Sequence, residues 1–588
     1  MRYVDSVGTS HTEPSGINCR SIGHPTLLVV LSHATDLPKA PYSRQGVVDD
    51  SIGLEMNLSA ITPARLRSRG NQLTAVLIAF GGLAAFILSG YIIHGELLEL
   101  EFVGVACTVC IIVVTILNNW RNGLMIFFAW LLFEDLVRKY LGNNMAIYFG
   151  KDALVTVFYL SFFVAIRRHK IQLFRPPFRV PLLLMVWVGF MQIFNPGSPS
   201  IFYGLMGFKL FFFYVPLLFA GYTLLNSDED LRKFFSLNLL LIIVIGSLGL
   251  AQAIIGHTFL NPTVIQEDIR ELSTLYRVSP ITGLSSYRPN SVFVSTGRFT
   301  NFLGLSWLLI LGFTGYSVLN RAKGRIFTFI VLIVTAAALI LSASRGAFMW
   351  EFINSAVFCI AFLWGAPWRT KEVISVLRTI QRTALGLTAA IVLLWFAFPN
   401  ALNSRLAFYS ETMSPDSPYS ELGNRTRDYP IANFLIAFNY ERWPYGYGIG
   451  TSGLGTQYVT RLLHVRPVDA AVESGYGAII IEQGIVGLIL WIIMSVAIIF
   501  SAWQVVRELR GTAWFPLAFV IFWHAFLVFF PYTYGGIVAY EDFVLNAYLW
   551  LLLGILFRLP EIASSKKFSM KRPTSNHDQY SFTNTPSH

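Results

Sequence analysis

Charge is what this 588-residue chain has least of: Asp, Glu, Lys and Arg make up 13% of it, against about a quarter in a soluble globular protein. That shortage excludes an ordinary water-soluble fold. Cysteine is also scarce, with four residues in all, Cys19, Cys107, Cys110 and Cys359. Cys107 and Cys110 have redox-motif spacing, but they sit inside an apolar run without a βαβ pattern or nearby histidines, so they read as helix packing. No His/Cys cluster has metal-ligand spacing, and the long loops hold no Asp-x-Asp pair; neither a metal nor a cofactor is expected. An amino-terminal signal peptide is missing as well, because residues 1–72 are polar and their apolar patch at 26–31 is too short to span.

What is abundant is apolar sequence: 54% of residues are hydrophobic and 15% aromatic. Runs near the ~20-residue spanning length fall at 73–93, 100–117, 122–137, 152–166, 180–194, 207–225, 235–255, 299–319, 326–344, 347–366, 383–399, 476–500, 513–530 and 542–557. The expected fold is therefore all-α and polytopic in the membrane, with about 14 transmembrane helices (12–14). With the amino terminus in the cytoplasm, roughly two-thirds of the 44 Lys and Arg fall in inside segments, including Arg167-Arg168-His169-Lys170 and Arg321-Ala322-Lys323-Gly324-Arg325. Both termini are then cytoplasmic. The formal charge of +11 becomes a topology signal, and nucleic acid is not expected as a partner.

The expected organisation has a disordered cytoplasmic segment at 1–72, helices over 73–399, a large extracytoplasmic loop at 400–475, further helices over 476–557 and a disordered tail at 558–588. A second long outer segment covers about 256–298. Within the large loop, Pro430 to Glu441 has apolar residues at helical spacing behind a proline start, predicting an amphipathic helix on the membrane surface. Met56, just ahead of Arg65-Leu66-Arg67-Ser68-Arg69, is an alternative start to Met1.

Arg345 stands out between two apolar runs with almost no loop to hold it. A guanidinium stays charged, so at bilayer depth it either snorkels to the interface or awaits an anion. Most other charges within the runs also lie at outer ends: Glu134, Asp135, Arg138, Lys139, Lys151, Asp152, Lys209, Arg288 and Arg298, joined by Arg425, Arg427, Asp428, Asp469 and Glu473 of the large loop. The Glu134–Lys139 set reads first as a structural ion-pair network. Tyr445-Gly446-Tyr447-Gly448-Ile449-Gly450 lacks the GK[ST] ending of a P-loop and reads as tight turns with close backbone approach. An anion available at the outer face is a lipid-linked diphosphate, which arginine's fork of donors suits.

These residues resemble the O-antigen ligase and polysaccharide polymerase superfamily of bacterial membrane proteins. The likeness rests on Ser342-Ala343-Ser344-Arg345-Gly346-Ala347, preceded by Ser295-Thr296-Gly297-Arg298-Phe299. Gly423-Asn424-Arg425, the Pro444–Thr451 stretch, Glu473-Ser474-Gly475-Tyr476 and Glu482-Gln483-Gly484-Ile485-Val486-Gly487 follow in order, with Glu134–Lys139, Lys151-Asp152 and Phe194-Asn195-Pro196 upstream. It covers roughly 120–555. The resemblance implies a metal-independent glycosyltransferase of GT-C-like architecture in the bacterial inner membrane. Such enzymes move a glycan from undecaprenyl diphosphate to an acceptor glycan hydroxyl, alongside a chain-length regulator and a flippase.

By the same resemblance Arg345, Arg298 and Arg425, with Arg427, bind the diphosphate. The family's ligases carry a histidine before the helix that follows the large loop; here Asp469 and Glu473 occupy that region and stand in as the base. Glu473 has a second reading as the cap of that helix. Tyr445 and Tyr447 are expected to contact glycan or to belong to the interfacial aromatic belt. The departure favours a polymerase of lipid-linked repeat units over a ligase to lipid A or protein. A polysaccharide or lipid-glycan transporter is the alternative of another class, disfavoured by scarce mid-bilayer charge.

Overall fold

A computed structural model describes residues 97–571, apart from 142–144, 172, 263–274, 321–324, much of 368–394, 421–428, 454, 470–471, 473 and 531–539. The chain divides into Met1–Gly95 and Glu96–His588; the first span expected, at 73–93, and the 1–72 segment lie outside the described residues. Everything below concerns the second unit.

Helices follow the apolar runs because a helix satisfies its own backbone, the requirement lipid imposes. In chain order they are α1 (Leu97–Asn118), α2 (Trp120–Tyr140), α3 (Met145–His169), α4 (Arg179–Gln192), α5 (Ile201–Phe212), α6 (Leu217–Leu224) and α7 (Asp228–Ile255). There follow α8 (Thr296–Leu319), α9 (Arg325–Leu341), α10 (Arg345–Gly365), α11 (Pro399–Met413), α12 (Tyr429–Ile436), α13 (Thr456–Leu463), α14 (Gly475–Glu508), α15 (Phe515–Phe529) and α16 (Phe543–Lys571). Among the described residues, seven helical segments are long and apolar enough to cross a membrane: α3, α5–α6 together, α7, α8, α10, α14 and α16. The protein is a helical, multi-pass membrane protein. Cys107 and Cys110 on α1 are free thiols, and Cys110 is exposed, so it contributes nothing to packing inside the bundle.

Small residues set the closest crossings. A Cβ on Gly221 of α6 would meet the Leu551 carbonyl of α16 at 2.1 Å, so only glycine lets these two backbones touch. The core continues around α16, where Trp550, Leu551, Leu552 and Leu553 are fully buried.

Three details differ from the sequence expectation. First, the segment between α7 and α8 is not all helix and loop: β1 (Tyr276–Val278) pairs antiparallel with β2 (Ser285–Tyr287), Arg277 opposite Ser286. Pro280 and Gly283, the latter at φ 67°, turn the chain between them. Secondly, the loop helix stops earlier than Glu441, passing from α12 into a short 3₁₀ turn, Ala437–Asn439. It buries Asn433 and Ala437 and exposes Ile431, Leu435 and Ile436, the polarity of a helix whose outer face meets lipid. Thirdly, the tail does not begin at 558. α16 runs on to Lys571, because Leu559 and Ile562 still find the core and Glu561 pairs with Arg558 one turn back.

Candidate functional site

The turn between α9 and α10 is where the Ser342–Ala347 motif folds. Ala343 takes a left-handed conformation, φ 50°, and the Ser342 hydroxyl accepts a hydrogen bond from the Ser344 N–H at 3.2 Å. Two apolar helices are thereby joined by three residues. Arg345 becomes the first residue of α10, at a helix end that itself carries partial positive charge.

Buried Arg405 holds this turn from behind. Its Nε donates to the Leu341 carbonyl at 2.7 Å, one terminal nitrogen to Ala401 at 2.6 Å, and the other to Tyr287 of β2 at 2.8 Å. Three carbonyls share one cation, and burial pulls its pKa down to about 10, which leaves it charged at neutral pH. One turn further along α11, Tyr409 donates to the Ile340 carbonyl at 3.1 Å and stacks on Phe348. Burial pushes the Tyr409 phenol up to about 12, so it remains a donor.

Glu411, also on α11, closes the assembly by accepting the Ile281 N–H at 2.7 Å and the Thr282 N–H at 3.3 Å. Burial opposes its ionisation, but these backbone donors hold the carboxyl below its ordinary value. A depressed pKa means the clamp is fully present above the ordinary glutamate range and fades as pH falls through the lowered value. Glu411→Gln is expected to speed amide exchange at Ile281 and Thr282 at neutral pH; unchanged protection would show that the clamp does not hold the hairpin.

Hairpin, turn, α11 and the loop at 418–420 border an open cavity of about 470 Å³, within the size range of small-ligand sites. Arg345 and Arg277 both line it, with Tyr276, Phe408, Tyr419 and Thr412. Arg345 lies over the Phe408 ring, 5.7 Å from its centroid. Two arginines, a helix N-terminus and three aromatic residues thus border one space. That combination can bind a phosphate-bearing ligand with an attached sugar.

Arg298 is elsewhere. It is among the residues of a buried charge network, where its Nη1 donates to both oxygens of Asp135 at 2.9 and 3.1 Å. Its Nε lies 3.6 Å from Asp542, and the guanidinium sits over Phe543. Arg138 pairs with the same Asp135 at 2.9 Å, Lys151 with Glu134 at 3.4 Å, and Lys209 with Asp152. Lys139 donates to the Ser291 carbonyl at 2.7 Å. The Glu134–Lys139 set is indeed an ion-pair network, and it absorbs Arg298.

Of the other expected residues, those that are described, Asp469, Tyr445 and Tyr447, are not among the cavity's lining. Arg425, Arg427 and Glu473 lie outside the described residues. Asp469 is exposed and is not among the cavity's lining. Tyr445 is 79% exposed, and Tyr447 packs edge-on to Tyr440. Their glycine-rich stretch docks on α14, where Tyr447 N–H donates to Ile481 and Ile485 N–H to Pro444. Gly484 makes this possible with φ 70°, since a Cβ there would meet the Pro444 carbonyl at 2.4 Å.

Sequence reasoning passed over Arg277 and Arg405. Arg277 alternates with Tyr276 and Val278 ahead of a Pro-x-x-Gly turn, a strand signal that could have been found. Nothing local marks Arg405. Among the described residues no group of His, Cys, Asp and Glu is arranged to hold a metal ion. Compared with known proteins, the chain matches no family model and no curated protein.

Proposed function

We propose that this protein is a glycosyltransferase that joins undecaprenyl-diphosphate-linked oligosaccharide repeat units of an exopolysaccharide or O-antigen. On this reading the chain is a GT-C-like polymerase with about 14 spans, set in a bacterial inner membrane with both termini cytoplasmic. The observation that supports it is the placing of Arg345 and Arg277 on one cavity with aromatic rings and the start of α10. The two guanidinium groups take the diphosphate oxygens in bidentate fashion. As the acceptor hydroxyl attacks the anomeric carbon, the bond from that carbon to the diphosphate oxygen breaks. Negative charge grows on the leaving group beside the arginines, which is where preorganised donors lower a barrier most. Tyr276 and Tyr419 offer apolar faces to the sugar rings.

The test uses full-length protein in detergent with a synthetic polyprenyl-diphosphate-linked oligosaccharide and no divalent metal. The expected product is a ladder of longer lipid-linked glycans. Transport of the same lipid across proteoliposomes without chain growth would make the protein a transporter instead, and transfer only to an added lipid A acceptor would make it a ligase.

A further inference from the structure

An acceptor hydroxyl that attacks carbon must give up its proton. Yet the side chains that line the cavity, among the described residues, include neither a carboxylate nor a histidine. Among the described lining residues, the groups able to take it are the hydroxyls of Tyr276, Thr412, Tyr419 and Ser420. Thr412 directs its own to the Phe408 carbonyl at 2.6 Å, and Tyr419 stands about half exposed. Tyr276 has a base beside it: its hydroxyl oxygen lies 3.1 Å from Nδ1 of His257, a part-buried contact across 19 residues of sequence.

Both partners are held in place. Gly256, at φ 113°, ends α7 and turns the chain into His257, whose carbonyl accepts from Asn261 Nδ2 at 3.0 Å. Tyr276 is fixed by the β1–β2 register opposite Tyr287, with the two rings 5.5 Å apart. With the imidazole proton on Nε2, Nδ1 accepts the phenol proton.

We propose that Tyr276 and His257 form the proton-accepting pair for the acceptor hydroxyl, with Tyr276 at the cavity and His257 behind it. This rests on the cavity being the site of glycosyl transfer. The acceptor oxygen bonds to the anomeric carbon while its proton passes to the Tyr276 oxygen. The Tyr276 proton passes in turn to His257 Nδ1, and the lipid diphosphate departs with the electron pair of the broken bond. His257 ends as an imidazolium, and its proton is returned to solvent before the next turnover. Tyr276 is the catalytic residue; His257 acts through it, orienting the hydroxyl and holding the proton.

The experiment measures donor binding and single-turnover transfer separately, with the full chain and a synthetic polyprenyl-diphosphate oligosaccharide. Tyr276→Phe keeps the ring against Tyr287 and is expected to bind donor within about threefold of wild type while transfer falls about 100-fold or more. His257→Gln separates orientation from basicity, because the amide oxygen still accepts from the tyrosine but takes no proton. Transfer restored to near wild type by Gln would reduce His257 to a hydrogen-bond support and overturn its proton-accepting role. Transfer within about threefold of wild type in Tyr276→Phe would overturn the pair altogether. Wild-type protein that binds no lipid diphosphate would overturn the reading of the cavity, and the pair with it.

Discussion

Replacing Arg345 by alanine is expected to leave folded protein in the membrane and to abolish long polymer. Arg345 is only half-buried at the first position of α10, and Ser342 and Arg405 both bond to the turn that carries it. Stability should change little. The transition state should suffer far more, because loss of one preorganised donor beside a developing oxyanion costs roughly 10²–10³-fold in rate. Cells carrying the variant should accumulate single-unit lipid-linked glycan, read by mass spectrometry of the lipid extract. Arg345→Lys should recover part of the rate, since a point charge remains but the two-pronged contact does not. Normal chain length in Arg345→Ala would end the proposal that this residue holds the diphosphate.

The second large effect concerns stability and is independent of function. Asp135 is 1% exposed and serves Arg298, Arg138 and the Val294 N–H together. Asp135→Asn keeps the volume and removes the charge that both guanidinium groups face. Breaking one partner of a buried ion network leaves uncompensated charge, at about 3–5 kcal/mol. The variant should melt well below wild type in detergent. Adding Arg298→Met should then cost less than the sum of the single changes, since the charge left stranded is removed with it. A variant that melts with wild type would show that Asp135 contributes nothing net.

The fate of the two arginines from the same resemblance shows what could be read ahead. Ser295–Phe299 and Ser342–Ala347 look alike as sequence, each a small-residue turn leading an arginine into a helix. Their surroundings separate them. Arg298 meets Asp135, 163 residues away, while Arg345 meets a cavity built by a hairpin and a loop helix. Similarly, the glycine-rich Tyr445–Gly450 stretch was legible as close backbone approach, but not which backbone it approaches.

Sequence by itself determined the helical membrane class and the place of Arg345 at a tight turn between two apolar runs. Each of these depends on residues near one another in the chain: apolar length, charge counts and turn residues, which act over a few positions. Only the tertiary structure decided which cations gather at the buried carboxylates and which line the cavity. Arg405 bonds carbonyls 64 and 118 residues away, and Arg277 joins Arg345 in one cavity across the intervening spans. Long-range pairing of this kind follows from how helices pack, through close contacts such as Gly221 on Leu551. No local pattern in the chain encodes it.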